Sequence, residues 1–170
     1  QGLGYYSRAR NLHECAQQVV ADHDSRFPDN YQALKRLKGV GDYTAAAIAS
    51  IAFKEGVAVV DGNVFRVLSR VFGIDDPIDT TAGKKKFTAL ANEVMNVKKP
   101  DLHNQAVMEF GAMHCTPKNP SCGDCILESS CFAAQHKLQY SLPVKSRTTT
   151  VRDRHFYYFV IQKGNTFLMK

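Results

Sequence analysis

The chain has 170 residues, of which 22 are Lys or Arg and 16 are Asp or Glu, so its formal net charge is +6. This length suits one domain, or one domain with part of another, and a hydrophobic share of 44% can fill a core. No apolar stretch approaches the length of a membrane span, which excludes an integral helical membrane protein. The excess of basic residues favours a polyanionic partner.

The first 135 residues are predicted to be mostly helical. Apolar residues from Leu12 to Val20 recur at helical spacing, and Asn30 is expected to cap a short helix that runs through Leu37. Further helices are predicted over residues 43–53, after Asp61, and over residues 81–97 and 101–113. The side chains expected to face the core include Val64, Leu68, Val71, Phe72, Phe87, Leu90, Ala91, Val94 and Met95.

The remainder of the chain has a different pattern. Residues 143–154 are basic, rich in Thr and without periodicity, which is typical of a linker. Residues 155–161 and 166–169 flank a turn at residues 163–165 and predict a β-hairpin. Because an isolated hairpin is marginal in water, these strands are expected to begin a second domain whose remainder is absent, with an edge that could associate with another chain.

A glycine hairpin links two of the predicted helices. Residues 37–43 read Leu-Lys-Gly-Val-Gly-Asp-Tyr, and Gly39 and Gly41 allow a sharp turn whose N–H groups can approach a phosphate. The helix after Gly41 directs the positive end of its dipole to the same anion. This pattern predicts a helix–hairpin–helix clamp for the DNA backbone, with an ordinary turn between helices as the alternative.

A carboxylate follows the apolar segment 57–60. Asp61 precedes Gly62-Asn63-Val64 and is expected to lie at a helix cap, where the dipole and free N–H groups favour the ionised form. As a plain cap it would be structural, but an anion held at the mouth of a pocket also stabilises a developing cation. Arg66 and Arg70 are predicted either to contact phosphate or to form a solvated helix face.

Four cysteines have the spacing C-x6-C-x2-C-x5-C, at Cys115, Cys122, Cys125 and Cys131. Four thiolates hold a [4Fe–4S] cluster, whereas structural zinc sites usually pair their ligands through two short gaps. Disulfides are disfavoured because no signal peptide is apparent and Cys15, on an apolar helical face, makes the number odd. The spacing therefore favours an iron–sulfur cluster over zinc or disulfides.

These motifs, with Gly2-Leu-Gly-Tyr-Tyr near the start, resemble in order and spacing the endonuclease III superfamily of helix–hairpin–helix DNA glycosylases. Within it, the MutY-type adenine DNA glycosylases are the most similar branch. The resemblance implies a mostly α fold: a glycosylase core with its cluster loop over residues 1–135, a linker over 136–154, and the start of a truncated Nudix-like domain over 155–170. The chain is thus expected to be cut at both ends.

The resemblance also implies roles for individual residues. Bifunctional lyases of the superfamily carry a lysine nucleophile where this chain has Tyr43, so a monofunctional enzyme that uses water is implied. Asp61 would stabilise the cationic sugar, with Asn63 and Tyr43 positioning it. Gln105 would touch the extruded adenine, and Tyr5 would be inserted beside the opposite base. For Gln105 the alternative is an exposed amide, and for Tyr5 it is packing at a helix edge.

The implied partner is double-stranded DNA with adenine opposite 8-oxoguanine or guanine, bound by a monomer inside the cell. The adenine must leave the duplex, because a stacked nucleotide hides its glycosidic bond. The family's general-acid glutamate would lie before Gln1, so this chain alone is expected to be nearly inactive. A thymine mismatch glycosylase, a lyase, a non-catalytic DNA-binding module and an electron carrier are the alternatives.

Overall fold

The computed structural model describes residues 7–146, 155, 157 and 160–167, and in that part of the chain it is mostly helical. The predicted role of Tyr5 falls outside the described residues. The helices are α1 (Ser7–Asp22), α2 (Tyr31–Leu34), α3 (Asp42–Phe53), α4 (Gly62–Phe72), α5 (Thr81–Glu93), α6 (Pro100–Met113) and α7 (Phe132–His136). A 3-10 turn covers Glu128–Ser130, and two short strands are β1 (Gln162–Lys163) and β2 (Thr166–Phe167).

The first of two apolar clusters joins α1, α2 and α3. Its buried members are Cys15, Val19, Leu34, Leu37, Ala45 and Ala49. Small alanines on α3 allow the helices to approach closely, as the alanine-rich sequence predicted. Cys15 is a buried thiol of this core, and all five cysteines are free.

The second cluster joins α4 and α5 to the segment before Asp61. Its buried members are Ala58, Val64, Leu68, Phe87, Ala91 and Met95. Phe65 is partly buried against this cluster and packs edge-on against Phe87, with 5.3 Å between ring centroids. Helix α4 also packs against α6 and α7, and α3 packs against α6, which makes α4 and α6 the centre of the helical body.

Several apolar residues that the periodicity predicts to face the core are exposed instead. Leu12 and Val20 on α1 are 71% and 63% exposed, because only Cys15 and Val19 of that stripe reach the core. Phe72 and Val94 are 48% and 39% exposed at the ends of their helices.

Helix α2 is shorter than predicted. The Asn30 cap is confirmed, since its Oδ1 accepts a bond from the N–H of Ala33 at 2.9 Å. The helix ends at Leu34, however, and the chain turns through Leu37, whose N–H donates to the carbonyl of Leu34. The turn is needed because the glycine hairpin follows immediately.

Residues after α7 remain attached to the helical body as far as Ser146. The N–H of Ile78 donates to the carbonyl of Val144, and the N–H of Ser146 donates to Asp79. Further along, β1 and β2 pair antiparallel around Gly164 and Asn165, where the sequence predicts a turn. The division into domains and the Nudix-like character of the last residues stay predictions. Among the described residues, no helix is long and apolar enough to cross a membrane.

Candidate active site and cysteine pocket

Asp61 is the N-cap of α4, as the sequence predicts. Its backbone is extended, its Oδ1 accepts from the N–H of Val64 at 2.8 Å, and its Oδ2 accepts from Nδ2 of Asn63 at 3.0 Å. A carboxylate offers about four lone-pair positions, so these two bonds orient it and leave acceptor capacity on both oxygens. The site therefore presents a fixed, half-buried carboxylate at the positive end of a helix.

The segment that precedes Asp61 is held by asparagine side chains. Asn104, which is 2% exposed on α6, accepts from the N–H of Val59 at 3.0 Å and donates to the carbonyl of Val57 at 2.9 Å. Oδ1 of Asn92 accepts from the N–H of Ala58 at 3.0 Å. Buried backbone groups need hydrogen-bond partners. The two asparagine side chains supply the partners that a neighbouring strand would otherwise provide, and so they fix the position of the segment that leads into Asp61. Asn104 was not predicted as a site residue. The available signal was an amide side chain within an apolar helix.

Asn63 is held from two sides. Its Nδ2 donates to Asp61, and its Oδ1 accepts from a terminal nitrogen of Arg66 at 2.8 Å, which fixes the orientation of the amide. Gly111 of α6 lies directly opposite, and a Cβ built there would come within 2.7 Å of Cβ of Asn63. Only glycine at position 111 lets α6 approach the start of α4 this closely.

The two arginines of α4 are buried, so both predicted alternatives for them, phosphate contact and a solvated face, are wrong. Arg66 is 8% exposed and donates to the carbonyls of Cys115 and Gly111, each at 2.7 Å. Arg70 is 2% exposed and donates to the carbonyl of Thr116 at 2.8 Å and to that of Leu142 at 3.1 Å. Carbonyl oxygens thus replace water around both guanidinium groups.

Burial lowers the pKa of Arg66, and the nearby charge of Arg70 lowers it further. Cys115 and Asp61 oppose this shift. The guanidinium nevertheless remains protonated in proteins. The two arginines therefore bring positive charge to the junction between the Asp61 site and the cysteine loop.

All four clustered cysteines line one pocket, together with the ends of α4, α6 and α7. Cys115 follows the end of α6, Cys131 caps α7, and Cys122 and Cys125 flank a tight turn. A terminal nitrogen of Arg70 lies 3.3 Å from Sγ of Cys115, and the N–H of Leu127 lies 3.4 Å from Sγ of Cys125. Such donors stabilise thiolates.

The thiols influence one another across this pocket. Burial raises the pKa of Cys122, with further increases from Cys115 and Cys131, while Arg70 opposes them. Among the described residues, no three His, Cys, Asp or Glu side chains are grouped closely enough to hold a metal ion as they stand. All four cysteines line the same pocket, and their role as ligands belongs to the proposal below.

The glycine hairpin has the geometry that its sequence predicts. Gly39 has a φ of +77°, and a Cβ there would lie 2.8 Å from Cβ of Asn11. Gly41 has an ordinary φ of −92°, and a Cβ there would meet nothing within 4 Å. Helix α3 begins directly after Gly41, and among the described residues no side-chain hydrogen bond caps it.

An ion pair and a hydrogen bond hold Asp42, the acidic residue that follows the hairpin. Asp42 pairs with Lys35 at 2.5 Å and accepts from the hydroxyl of Tyr31 at 2.7 Å. The pKa of Asp42 is lowered, chiefly by the hydrogen bond from Lys35 and next by that from Tyr31. The pKa of Tyr31 is raised, chiefly by burial and next by its hydrogen bond to Asp42. The acidic residue at the start of α3 is thereby paired with a cation.

Two further predicted site residues, Tyr43 and Gln105, lie on α3 and α6. Tyr43 is 49% exposed in a groove of about 640 Å³ that Val60 and Phe65 also line. Among the described residues, no hydrogen bond joins its hydroxyl to Asp61. Gln105 is exposed and donates to Glu109 at 3.0 Å, so its amide is available at the surface of α6. Their catalytic and binding roles stay predictions.

The glycine hairpin and the capped Asp61 both lie in the part of the chain that a family model matches. The model of the HhH-GPD superfamily, described as base excision DNA repair protein, matches residues 1–95. The chain belongs to this superfamily.

Named relatives and solved structures agree with this membership. The adenine DNA glycosylase of Arabidopsis thaliana is 45% identical over 152 residues, which is 89% of this chain and 23% of that protein. A thermostable thymine-DNA glycosylase superposes with a TM-score of 0.70 at 34% identity, covering 76% of this chain and 59% of the other. A trapped endonuclease III–DNA covalent intermediate shares the fold, with a TM-score of 0.65 at 23% identity, and covers 76% of this chain and 59% of that one. The chain thus spans about a quarter of the plant relative's length.

Proposed function

We propose that this chain is part of a monofunctional DNA glycosylase that hydrolyses the N-glycosidic bond of adenine mispaired with 8-oxoguanine or guanine. The observation that carries the proposal is the Asp61 carboxylate, held by Val64 and Asn63 at the start of α4. The 45% identity to a plant adenine DNA glycosylase supports adenine as the base. The protein would act inside the cell, on the nucleoid if it is bacterial.

The proposed reaction breaks the bond between the sugar C1′ and adenine N9. The electron pair leaves with the base, which takes up a proton, and the sugar becomes cationic. Water then adds to C1′ and releases a proton to solvent, so the products are neutral adenine and a sugar with a hydroxyl group at C1′. A fixed carboxylate at this place stabilises the developing cation without reorganisation. Asn63 would keep Asp61 aimed at the sugar, Tyr43 would help to position it, and Gln105 would contact the extruded adenine.

DNA would be held through its backbone at the hairpin. The open space in front of Gly41 and the uncapped start of α3 suit a phosphate oxygen. A net charge of +6 supports binding that does not depend on sequence. Extruding the adenine costs a few kcal/mol, which contacts of this kind help to offset. Tyr5 is proposed as the side chain that fills the gap beside the opposite base.

We further propose that Cys115, Cys122, Cys125 and Cys131 hold a [4Fe–4S] cluster. The residues fit this group, because the four thiols line one pocket and Arg70 and the N–H of Leu127 donate to two of them. In addition, two buried polar atoms of the pocket have no hydrogen-bond partner in the part of the chain that the structure describes. When bound, a cluster of this kind supplies a rigid centre capable of one-electron chemistry, and its role here is proposed to be structural. Cys131, whose thiol now donates to the carbonyl of Arg70 at 3.4 Å, would lose that bond on ligation.

A thymine mismatch glycosylase is the second candidate, because the similar thermostable thymine-DNA glycosylase is 34% identical to this chain. Excision by the full-length protein separates the two. Duplexes with adenine opposite 8-oxoguanine and with thymine opposite guanine are incubated with excess enzyme, and free base is measured. Adenine release from the first duplex is expected to be much faster, and faster thymine release would contradict the proposal. Borohydride trapping should yield no covalent adduct, because Tyr43 cannot form a Schiff base.

A further inference from the structure

The cysteine pocket also contains a buried imidazole nitrogen, that of His114. His114 ends α6, directly before Cys115, and lines the pocket together with the four thiols. Its ring stacks on that of Phe110, with 5.3 Å between centroids and 23° between planes. Its Nε2 is buried and has no hydrogen-bond partner among the described residues. Oε1 of Gln139, which lines the same pocket, is also buried and without a partner.

A buried ring nitrogen without a partner is costly, because burying an unsatisfied polar group costs about 1–3 kcal/mol. The stacking on Phe110 fixes the ring plane, so rotation to another partner would sacrifice that contact. What the pocket does offer is sulfur, which accepts hydrogen bonds weakly as a thiol and more strongly as a charged ligand. The partner expected for Nε2 is therefore the group that the cysteines bind.

We propose that Nε2–H of His114 donates a hydrogen bond to a sulfur of the iron–sulfur cluster and raises its reduction potential. The inference rests on the cofactor proposed above. Reduction adds negative charge to the cluster, and a hydrogen bond to sulfur is stronger when that charge is larger. The bond thus stabilises the reduced form more than the oxidised form, in line with the general influence of such bonds on cluster potentials. His114 acts as a positioning and tuning residue and not as a ligand.

The chain offers a matched control. His136 also lies four residues after a phenylalanine and stacks on it, with 4.1 Å between its ring centroid and that of Phe132. It is exposed, its Nδ1 lies 2.9 Å from the carbonyl of Phe132, and it does not line the cysteine pocket. Replacing His136 by Phe removes an imidazole of the same local geometry without removing a donor from the pocket.

The experiment compares His114→Phe, His114→Gln and His136→Phe with the wild type, after reconstitution with iron and sulfide. Iron content, the reduction potential from voltammetry and the Fe–S stretching bands in H₂O and D₂O are measured. His114→Phe is expected to retain about four irons per chain, to have a lower potential and to lose part of the D₂O shift. His114→Gln, which keeps an N–H donor, should restore both in part, and His136→Phe should match the wild type. A His114→Phe protein with wild-type potential and wild-type D₂O shift would overturn the inference.

A measurement on the wild type keeps the test decisive even if His114→Phe fails to hold iron. With ¹⁵N-histidine incorporated and the cluster converted to a paramagnetic state, pulsed EPR should show coupling to one histidine nitrogen. An iron-loaded wild type without this coupling contradicts the role of His114 and leaves the cofactor intact. A wild type that binds no iron contradicts the proposed cofactor itself. The two failures are thereby distinguished.

Discussion

The guanidinium of Arg66 donates to the carbonyl of Cys115 at 2.7 Å, and a second arm of the same group donates to Asn63 at 2.8 Å. One buried side chain therefore contacts both the residue that orients Asp61 and the first cysteine of the loop. Because the guanidinium is planar and has a rigid set of donors, the two partners are held at a fixed separation.

Replacing Arg66 by Lys should destabilise the protein and slow base release together. Lysine carries a compact charge and cannot reach the carbonyls of Gly111 and Cys115 and the amide of Asn63 at once. Leaving these buried acceptors without donors should cost about 2–4 kcal/mol in the free energy of unfolding. Urea denaturation and single-turnover base release by the full-length protein check this, with Arg36→Lys, at an exposed residue, as control. Wild-type stability in the Arg66 variant would contradict the described network.

Asp61→Asn should abolish base release while leaving the fold and DNA affinity nearly unchanged. Asparagine is as good an N-cap as aspartate, so α4 should remain capped, but the charge that stabilises the cationic sugar is lost. A reduction of at least about 10²–10³-fold in the single-turnover rate of the full-length protein is expected. Asn30→Asp, a cap exchange in the opposite sense on α2, is the control. Equal loss of binding and release would give Asp61 a purely structural role.

Asn104→Ala should be strongly destabilising, although the residue is not predicted to touch DNA. The N–H of Val59 and the carbonyl of Val57 would both lose their partner, at about 1–3 kcal/mol each. The adjacent Gln105→Ala is the control, because its exposed side chain should change stability by no more than about 0.5 kcal/mol. Equal denaturation midpoints for the two variants would show that Asn104 does not hold the segment before Asp61.

Substitutions of the two hairpin glycines should have different effects: Gly39→Ala should lower stability, and Gly41→Ala should lower the affinity for DNA. Gly39→Ala places a Cβ at positive φ against Asn11, so about 1–3 kcal/mol of stability should be lost. Gly41→Ala meets no protein atom within 4 Å and should fold normally. Its methyl group would nevertheless keep a phosphate away from the backbone, and affinity for duplex DNA should fall about tenfold, or about 1.4 kcal/mol. Fluorescence anisotropy at fixed salt measures this, and wild-type affinity would argue against the clamp.

His103 should make stability depend on pH. Burial lowers the pKa of His103, whereas in the unfolded chain the group titrates near about 6.5. Between these two values the unfolded state binds more protons, so the free energy of unfolding should fall as pH drops below about 6.5 and level off below the folded-state pKa. Urea titrations of His103→Gln should show a weaker decline. An unchanged slope in His103→Gln would exclude this contribution.

The parts of the site that could be predicted from sequence are those with a local signal. Asp61 follows an apolar segment and precedes a helix, so its place as a cap follows from neighbouring residues alone. The cysteine spacing likewise predicts convergence on one pocket, because all four ligands lie in one loop. The glycine hairpin depends on two residues whose backbone freedom can be read directly.

The parts that could not be predicted depend on distant partners. Arg66 and Arg70 look like a solvated face because the carbonyls outside α4 that accept their hydrogen bonds lie between 45 and 72 residues further along the chain. Asn63 lies on the same side of α4, three residues before Arg66, and this polar stripe on an otherwise apolar helix was an available signal. Leu12 and Val20 match the helical period but extend beyond the area that α2 and α3 cover.

The dependence of the cysteine loop on α4 has a consequence for how the protein is made. Both arginines that hold the first residues of the loop belong to that helix. We therefore expect the loop to take its shape after α4 has docked and the proposed cluster to be loaded late in biogenesis. Protein made under iron starvation should retain its helical circular dichroism yet be cut by proteases between residues 115 and 131.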